Sequence, residues 1–289
     1  MTEGLVDAVL DWYDQSARDL PWRRPGVSAW AVLVSEFMLQ QTPVARVLPV
    51  YDAWLARWPE PAALASETAG AAVRAWGRLG YPRRALRLHQ TAVRITEIYG
   101  GVVPSDVADL RSLPGVGSYT AHAVAAFAFG QRVPVVDTNV RRVLARAVIG
   151  DGDAGPPAAR RDEATVGSLL PAEPARAARF SVALMELGAM ICTARTPACD
   201  SCPLAHQCAW RLAGHPSYAG PRRASQQYGG TDRYVRGLLL EVLRTLDSPV
   251  PKAVLDATWP DEAQRERALT SLIADGFAIE RNATYGLPE

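Results

Sequence analysis

The chain is predicted to be mainly α, with a long helical front part and a small winged-helix-like module at its C-terminal end. Three observations carry this. Over the first 210 or so positions, apolar residues recur at helical spacing between short turns punctuated by Gly and Pro, and no stretch alternates apolar and polar residues before about residue 270. A polar, Gly-rich stretch from Gly220-Pro221 to Gly229-Gly230 then reads as a linker. Behind it, three helical patterns end in a hairpin signature. At 289 residues and 48% apolar the chain can bury a substantial core, and its length suits two domains or one bilobed domain. The expected boundaries are 1–218, a linker at 219–231 and a module at 232–289.

In order along the chain, Leu5, Val6, Val9, Leu10, Trp12 and Tyr13 make an opening amphipathic helix that Pro21 ends. Residues 28 to 40 form an apolar helix with Ser28 as N-cap and Glu36 as its only acidic residue. Further helical patterns run over 44–58, 70–78, 82–99, 107–112, 118–129, 138–149, 158–170 and 174–191. After the linker come a helix over 232–246, a break at Ser248-Pro249, a short helix near 251–257 and a third over 261–275, stopped by Gly276. Phe277-Ala278-Ile279 and Tyr285-Gly286-Leu287 flank a polar Arg281-Asn282 turn, which predicts the hairpin.

No run approaches the length of a membrane span. The net charge of +1 is unevenly spread: residues 231–289 hold seven basic and ten acidic groups, a net of −3, which leaves +4 on residues 1–230. A phosphate backbone is therefore expected against the front part. Its basic residues are grouped as Arg83, Arg84 and Arg87, as Arg141, Arg142 and Arg146, and as Arg222 and Arg223, although solvated helix faces produce such groups too. The third helix of the module, the one that reads DNA in many winged helices, carries Arg265 and Arg267 against Asp261, Glu262, Glu266 and Asp275. That balance repels phosphate and suits a protein-interaction surface better.

The chain has four cysteines, all within Cys192-x6-Cys199-x2-Cys202-x5-Cys208. With no N-terminal apolar signal segment the protein is expected in the cytoplasm, where disulfides rarely persist, so the set reads as metal ligands. Only a [4Fe–4S] cluster or a structural zinc regularly takes four thiolates. Zinc sites usually pair two short Cys-x2-Cys hooks, and only Cys199 and Cys202 are that close. Spacing alone leaves both metals open.

Three further motifs accompany the cysteines. They are Leu20-Pro21-Trp22-Arg23 followed by Ser35-Glu36-Phe37-Met38-Leu39-Gln40-Gln41-Thr42, then Leu113-Pro114-Gly115-Val116-Gly117 with Ser118-Tyr119-Thr120, then Val133-Pro134-Val135-Val136-Asp137-Thr138-Asn139-Val140. Together, over about residues 5–212, they resemble the iron–sulfur branch of the helix-hairpin-helix base-excision glycosylases, and within it the MutY-type adenine DNA glycosylases. The resemblance implies a two-lobed fold with the DNA cleft between lobes, one holding the hairpin, Glu36 and Tyr119 and the other the N-terminal segment and the cluster. It implies a [4Fe–4S] cluster on Cys192, Cys199, Cys202 and Cys208. It implies duplex DNA carrying adenine opposite guanine or 8-oxoguanine as substrate, a monomer working with the nucleoid, and Glu36, Asp137 and Tyr119 as catalytic residues. Contacts to DNA are implied for Arg23 with Trp22 beside the adenine, for Gln41 as the wedge with Gln40, Thr42 and Leu79 at the partner base, and for Gly115, Gly117, Ser118, Asn139 and Arg141.

The chemistry fits those residue types. Cleaving the bond between adenine and deoxyribose needs a proton for the departing base and negative charge beside an oxocarbenium-like sugar, which two carboxyl groups in different environments supply. Glu36, among Val32, Leu33, Val34, Phe37 and Met38, should be desolvated and protonated. Asp137, ahead of the Asn139-Val140 helix, should sit in a more polar setting and stay ionised. The competing readings are a paired carboxylate for Glu36, a plain helix N-cap for Asp137 and a core aromatic for Tyr119. Gly115 and Gly117 allow a tight turn whose following helix offers free N–H groups to a phosphate. The second position after the hairpin, where relatives that also nick DNA carry a Schiff-base lysine, is Tyr119, and the single lysine of the chain is Lys252.

Two departures from the family pattern stand out. Val182 occupies a position where relatives carry a Glu or Gln that touches the adenine, and the short C-terminal module stands where most relatives have a larger domain that reads 8-oxoguanine. The rival functions are a glycosylase for thymine or hypoxanthine, an iron–sulfur redox sensor that binds DNA, and a damage-binding protein without catalysis.

Overall fold

The computed structural model describes residues 2–220 and 228–289. Fifteen α-helices are described: α1 Thr2–Ser16, α2 Ala29–Leu39, α3 Val44–Arg57, α4 Pro61–Ala65, α5 Ala69–Trp76, α6 Arg83–Tyr99, α7 Val107–Ser112, α8 Ser118–Phe129, α9 Thr138–Leu144, α10 Ala159–Leu169, α11 Pro174–Met190, α12 Ala209–Leu212, α13 Asp232–Thr245, α14 Lys252–Asp256 and α15 Glu262–Ala274. Three short strands, β1 Val250–Pro251, β2 Ile279–Arg281 and β3 Thr284–Gly286, lie in the C-terminal part. The linker expected at 219–231, with Arg222 and Arg223, falls largely outside the described residues, since 221–227 are not among them. None of the helices is long and apolar enough to cross a membrane.

The chain groups into two compact units. The first comprises the described residues of Met1–Glu36, Ser105–Ser112 and Val116–Arg223. Its core joins Leu5, Val6 and Val9 of α1, Val140, Val143 and Leu144 of α9, Phe180, Leu184 and Leu187 of α11, and Leu204 of the cysteine loop. Helix α11 is started by Glu173, whose carboxylate accepts from the Ala175 and Arg176 amides at 2.8 and 2.5 Å, with Pro174 in the first turn. Gly188 lets α11 approach α9 closely, for a Cβ there would stand 2.6 Å from that of Asn139. Helix α9 runs into a π-helical turn over Ala145–Ile149, closed by Gly150 at φ +93°.

The second unit comprises the described residues of Phe37–Pro104, Leu113–Gly115 and Ala224–Glu289. Trp54 packs edge-on against Trp58 at 4.6 Å and against Trp76 at 5.7 Å, so these three tryptophans are core anchors. Its C-terminal part has the order α13, β1, α14, α15, β2, β3, with an antiparallel sheet ordered β1-β3-β2, which is a winged-helix arrangement. Strand β1 escapes the sequence reading because two residues show no alternation; its ladder partner Tyr285 lies on the far side of two helices. The hairpin turn falls on Asn282 and Ala283, both at positive φ, one residue later than expected.

The sequence reading placed Glu36 and Tyr119 in one lobe and the N-terminal segment and cysteines in the other. In the structure Glu36, Tyr119, α1 and the cysteine loop share the first unit, while the hairpin turn Leu113–Gly115 belongs to the second. The turn is held there by its packing: Thr91 donates to the Pro114 carbonyl at 2.6 Å, and a Cβ on Gly115, at φ +80°, would stand 2.7 Å from the Arg87 Cβ.

Candidate active site

Glu36 lies near the C-terminal end of α2, a helix apolar nearly all round, capped by Ser28, whose Oγ accepts from the Ala31 amide at 3.1 Å. The Glu36 residue is 4% exposed and its Oε2 is buried with no hydrogen-bond partner among the described residues. Burial pushes its carboxyl up to about 7 and the charge of Asp137 adds to the rise, against the Tyr119 hydroxyl that donates to it and the Arg23 charge. A carboxyl poised at about 7 with one free oxygen can hold a proton at neutral pH and give it away. The Tyr119 phenol is itself driven well above its ordinary value, first by burial and then by the two carboxylates, so it acts as a donor and stays neutral.

Asp137 is the N-cap of α9. Its Oδ1 accepts from the Val140 amide at 2.7 Å and its Oδ2 from Asn139 Nδ2 at 2.8 Å. Its setting is both polar and buried: burial raises its pKa above the ordinary carboxylate value, although both hydrogen bonds and the Arg142 charge pull the other way. With an N–H donor on each oxygen, the geometry is that of the anion, and the α9 N-terminus favours it further. Capping and catalysis are thus compatible duties for one side chain.

Asn139, an expected DNA contact, is bound to this carboxylate, and its Oδ1 accepts from Arg142 Nη2 at 2.7 Å. Arg142 also donates to the Gly188 carbonyl at 2.7 Å and the Cys192 carbonyl at 2.6 Å. A continuous set of hydrogen bonds therefore runs from Asp137 to the first cysteine. Arg141, an expected DNA contact, pairs in the structure with Asp162 at 2.7 Å and donates to the carbonyls of Ala154, Gly155 and Pro156.

Arg23 lies 2.9 Å from Oε2 of Glu186, and Arg18 binds the same carboxylate through two hydrogen bonds of 2.6 Å. Burial would raise the fully buried Glu186, yet the Arg18 hydrogen bonds and the Arg23 charge hold it below its ordinary value. Arg18 escaped the sequence reading, which knew Arg142 only as one of a basic group and Glu186 only as the acidic residue four positions after Val182. Trp22 is buried and Val182 half-buried.

Among the DNA contacts implied by the motifs, Gly117 caps α8 with extended backbone and leaves the N–H groups at the start of that helix outside its own ladder. Ser118 donates to Glu163 at 2.7 Å. In the second unit Gln41 is exposed at φ +56°, and Gln40 is half-buried. Thr42 and Leu79 are buried and joined, the Thr42 hydroxyl lying 3.3 Å from the Leu79 carbonyl. Thr42 thus ties its loop to the turn at Leu79.

Cys192, Cys199, Cys202 and Cys208 line one pocket with Arg146, Trp210 and Arg211. Burial first, then the other three sulfurs, push the Cys202 thiol up to about 11, and burial raises Cys199 as well. A cationic metal core reverses that balance, and the donor set, four sulfurs with no histidine or carboxylate in the lining, suits iron–sulfur chemistry. Arg146 closes the pocket, donating to Cys192 Sγ at 3.5 Å and to the Thr193 and Ala194 carbonyls at 2.7 and 3.1 Å.

Comparison with known proteins agrees with this geometry. Residues 34–165 match the HhH-GPD superfamily of base excision DNA repair proteins, and residues 192–208 match the iron–sulfur binding domain of endonuclease III. Adenine DNA glycosylase of Mycobacterium tuberculosis is 61% identical over 282 residues, covering 97% of this chain and 92% of that one, so the C-terminal module is shared. Thymine-DNA glycosylase of Aeropyrum pernix is 35% identical over 209 residues, 71% of this chain and 93% of that one. Among solved structures, a thermostable thymine-DNA glycosylase superposes with a TM-score of 0.66 at 27% identity, over 73% of this chain and 97% of that chain. The match over residues 192–208 makes this loop an iron–sulfur binding module, and the four cysteines that line its pocket are the residues that would hold the cluster. From a site of two carboxyl groups and a thiolate loop, and from identity that spans both units, the chain belongs to the MutY-type adenine DNA glycosylases of the helix-hairpin-helix superfamily.

Proposed function

We propose that the protein excises adenine mispaired with guanine or 8-oxoguanine in duplex DNA, by hydrolysis of the N-glycosidic bond and without cutting the strand. The observation that carries this reading is Glu36, a buried carboxyl held at about 7 with one unpartnered oxygen, beside Tyr119 and electrostatically coupled to Asp137. Glu36 protonates the departing base, which makes adenine a better leaving group. Asp137, fixed as an anion by Val140 and Asn139, stabilises the oxocarbenium-like sugar or bonds to it transiently. Tyr119 holds the Glu36 carboxyl in place. The adenine must be turned out of the stack to reach these groups, and Gln41, exposed on a left-handed backbone, fills the gap. The protein works as a monomer on chromosomal DNA.

A panel of duplexes with adenine, thymine, uracil or hypoxanthine opposite guanine and opposite 8-oxoguanine tests this by single-turnover excision. Adenine should be released fastest opposite both purines. Release of thymine or hypoxanthine at the greater rate would overturn the adenine assignment, and binding without release of any base would favour the non-catalytic rivals.

A further inference from the structure

Arg84 is a buried cation without a carboxylate partner among the described residues. It is 8% exposed, and its two NH₂ groups make five hydrogen bonds. Nη1 donates to the Phe37, Met38 and Gln40 carbonyls at 2.8, 2.9 and 2.6 Å. Nη2 donates to Thr42 Oγ1 at 2.8 Å and to the Gly80 carbonyl at 3.0 Å. Its guanidinium also lies over the rings of Trp76 at 5.2 Å and Tyr81 at 5.5 Å.

These acceptors come from three places: the C-terminal carbonyls of α2, the loop Gln40–Thr42 and the turn Leu79–Tyr81. Each is an awkward backbone. The end of α2 carries carbonyls that no further helical N–H can satisfy, and a cation there complements the helix dipole. Gln41 and Tyr81 both stand at positive φ, 56° and 46°, which costs a non-glycine residue and persists only where the surroundings enforce it. A planar guanidinium with several fixed donors can bridge all three at once, while a lysine has only three donors on a rotating head. Arg83, the neighbour in sequence, is instead exposed and paired with Asp275 at 2.6 Å, so the two arginines of the pair do different work.

We infer that Arg84 is a positioning residue for opposite-base selectivity, locking the Gln40–Thr42 loop and the Leu79–Tyr81 turn into one preformed reader. The inference rests on the proposed function and on the placement of Gln40, Thr42 and Leu79 at the base opposite the adenine that the family resemblance implies. Arg84 does not touch DNA in this scheme; it acts through the shape of Gln41 and its neighbours.

The test uses the full-length cluster-loaded protein and three duplexes, with adenine opposite 8-oxoguanine, opposite guanine and opposite an abasic site. Single-turnover rates and duplex affinities are measured for wild type, Arg84→Lys, Arg84→Met and Thr42→Val; the last removes one acceptor of Arg84 at nearly constant volume. The expected result is a selective loss, with the preference for 8-oxoguanine over the abasic partner falling tenfold or more. For both Arg84 variants the rate opposite the abasic site should stay within threefold, and the pH at which the rate breaks should not move. Arg84→Lys should recover part of the preference and Thr42→Val should lose part of it. Equal loss on all three duplexes would show a merely structural role and overturn the inference, as would an unchanged preference. If both Arg84 variants fail to fold, Trp76→Phe, which changes a ring under the Arg84 guanidinium outside both segments, should show the same selective loss, and an unchanged preference in it would overturn the inference. If the wild type released adenine from none of the duplexes, the proposed function itself would fail, a result distinct from either.

Discussion

Glu36 sets how the reaction should depend on pH. Its carboxyl is held at about 7 against an ordinary 4.5, with burial the largest cause. At roughly 1.4 kcal/mol for each tenfold change in ionisation, this amounts to about 3 kcal/mol of disfavour for the buried anion. The group is an acid that must be protonated to act, so the excision rate should be level below about pH 7 and fall about tenfold per pH unit above it. Stability follows the same sign. The folded state binds a proton that the unfolded state has already lost above 4.5, so this contribution is present at low pH and drains away between about 4.5 and 7. The Tyr119 hydrogen bond favours the anion, so Tyr119→Phe should move the break upward. Single-turnover excision of adenine opposite 8-oxoguanine, from about pH 5 to 9 and with enzyme saturating, measures both. A break near 4.5, a rate independent of pH, or a downward shift in Tyr119→Phe would refute the assignment of Glu36 as a desolvated acid. Glu36→Gln should bind the duplex nearly as wild type does and release no adenine.

Other outcomes follow from the same geometry. Arg142→Gln removes the charged donor that fixes Asn139 and ties it to the Cys192 carbonyl. A charge-assisted hydrogen bond is worth about 1.5–3 kcal/mol, so the chemical step should slow about tenfold to a hundredfold with the cluster's visible absorbance retained; an unchanged rate would show that Asp137 needs no such support. Iron analysis of the anaerobically purified protein should find about four irons per chain. Cys202→Ser should lose iron and duplex binding before the intrinsic excision rate, whereas one zinc and no iron would refute the cluster. Borohydride should trap no covalent complex, and the product strand should break only after alkali or heat. Lys252 pairs with Asp256 at 3.1 Å and with Glu266, which raise its pKa and keep its amine protonated. Trapping that Lys252→Ala abolishes would reverse this reading.

Most helices were legible because this chain punctuates them: Ser28 caps α2, Glu173-Pro174 starts α11 and Gly276 stops α15. The elements that escaped are those too short to show a period, α4 over Pro61–Ala65, α12 over Ala209–Leu212 and the strand Val250–Pro251. Glu36 was legible too, since an apolar helix with one acid predicts desolvation. The arginines were not. Arg141, Arg142 and Arg146 look alike in sequence to a phosphate-binding stripe, but all three serve inward acceptors, Asp162, the Cys192 carbonyl and the Thr193 carbonyl. Charge grouping says that cations are close together; it does not say which way they point, because a buried arginine needs carbonyl acceptors that only the fold brings near.

The same limit explains why Asp137 could be read either as a cap or as a catalyst. Capping needs a carboxylate oxygen on the Val140 amide, and stabilising a sugar cation needs an anion that stays unprotonated despite burial. The first condition helps to supply the second. Each donor on the carboxylate lowers the cost of keeping it charged, so a helix N-terminus is where a half-buried aspartate can remain an anion beside a protonated glutamate. Asn139 occupies the other oxygen, and Arg142 orients Asn139 from the side of the cysteine loop. Hydrogen bonds thus link the cysteine loop to this carboxylate: the Cys192 carbonyl holds Arg142, Arg142 holds the Asn139 amide, and Asn139 donates to Asp137.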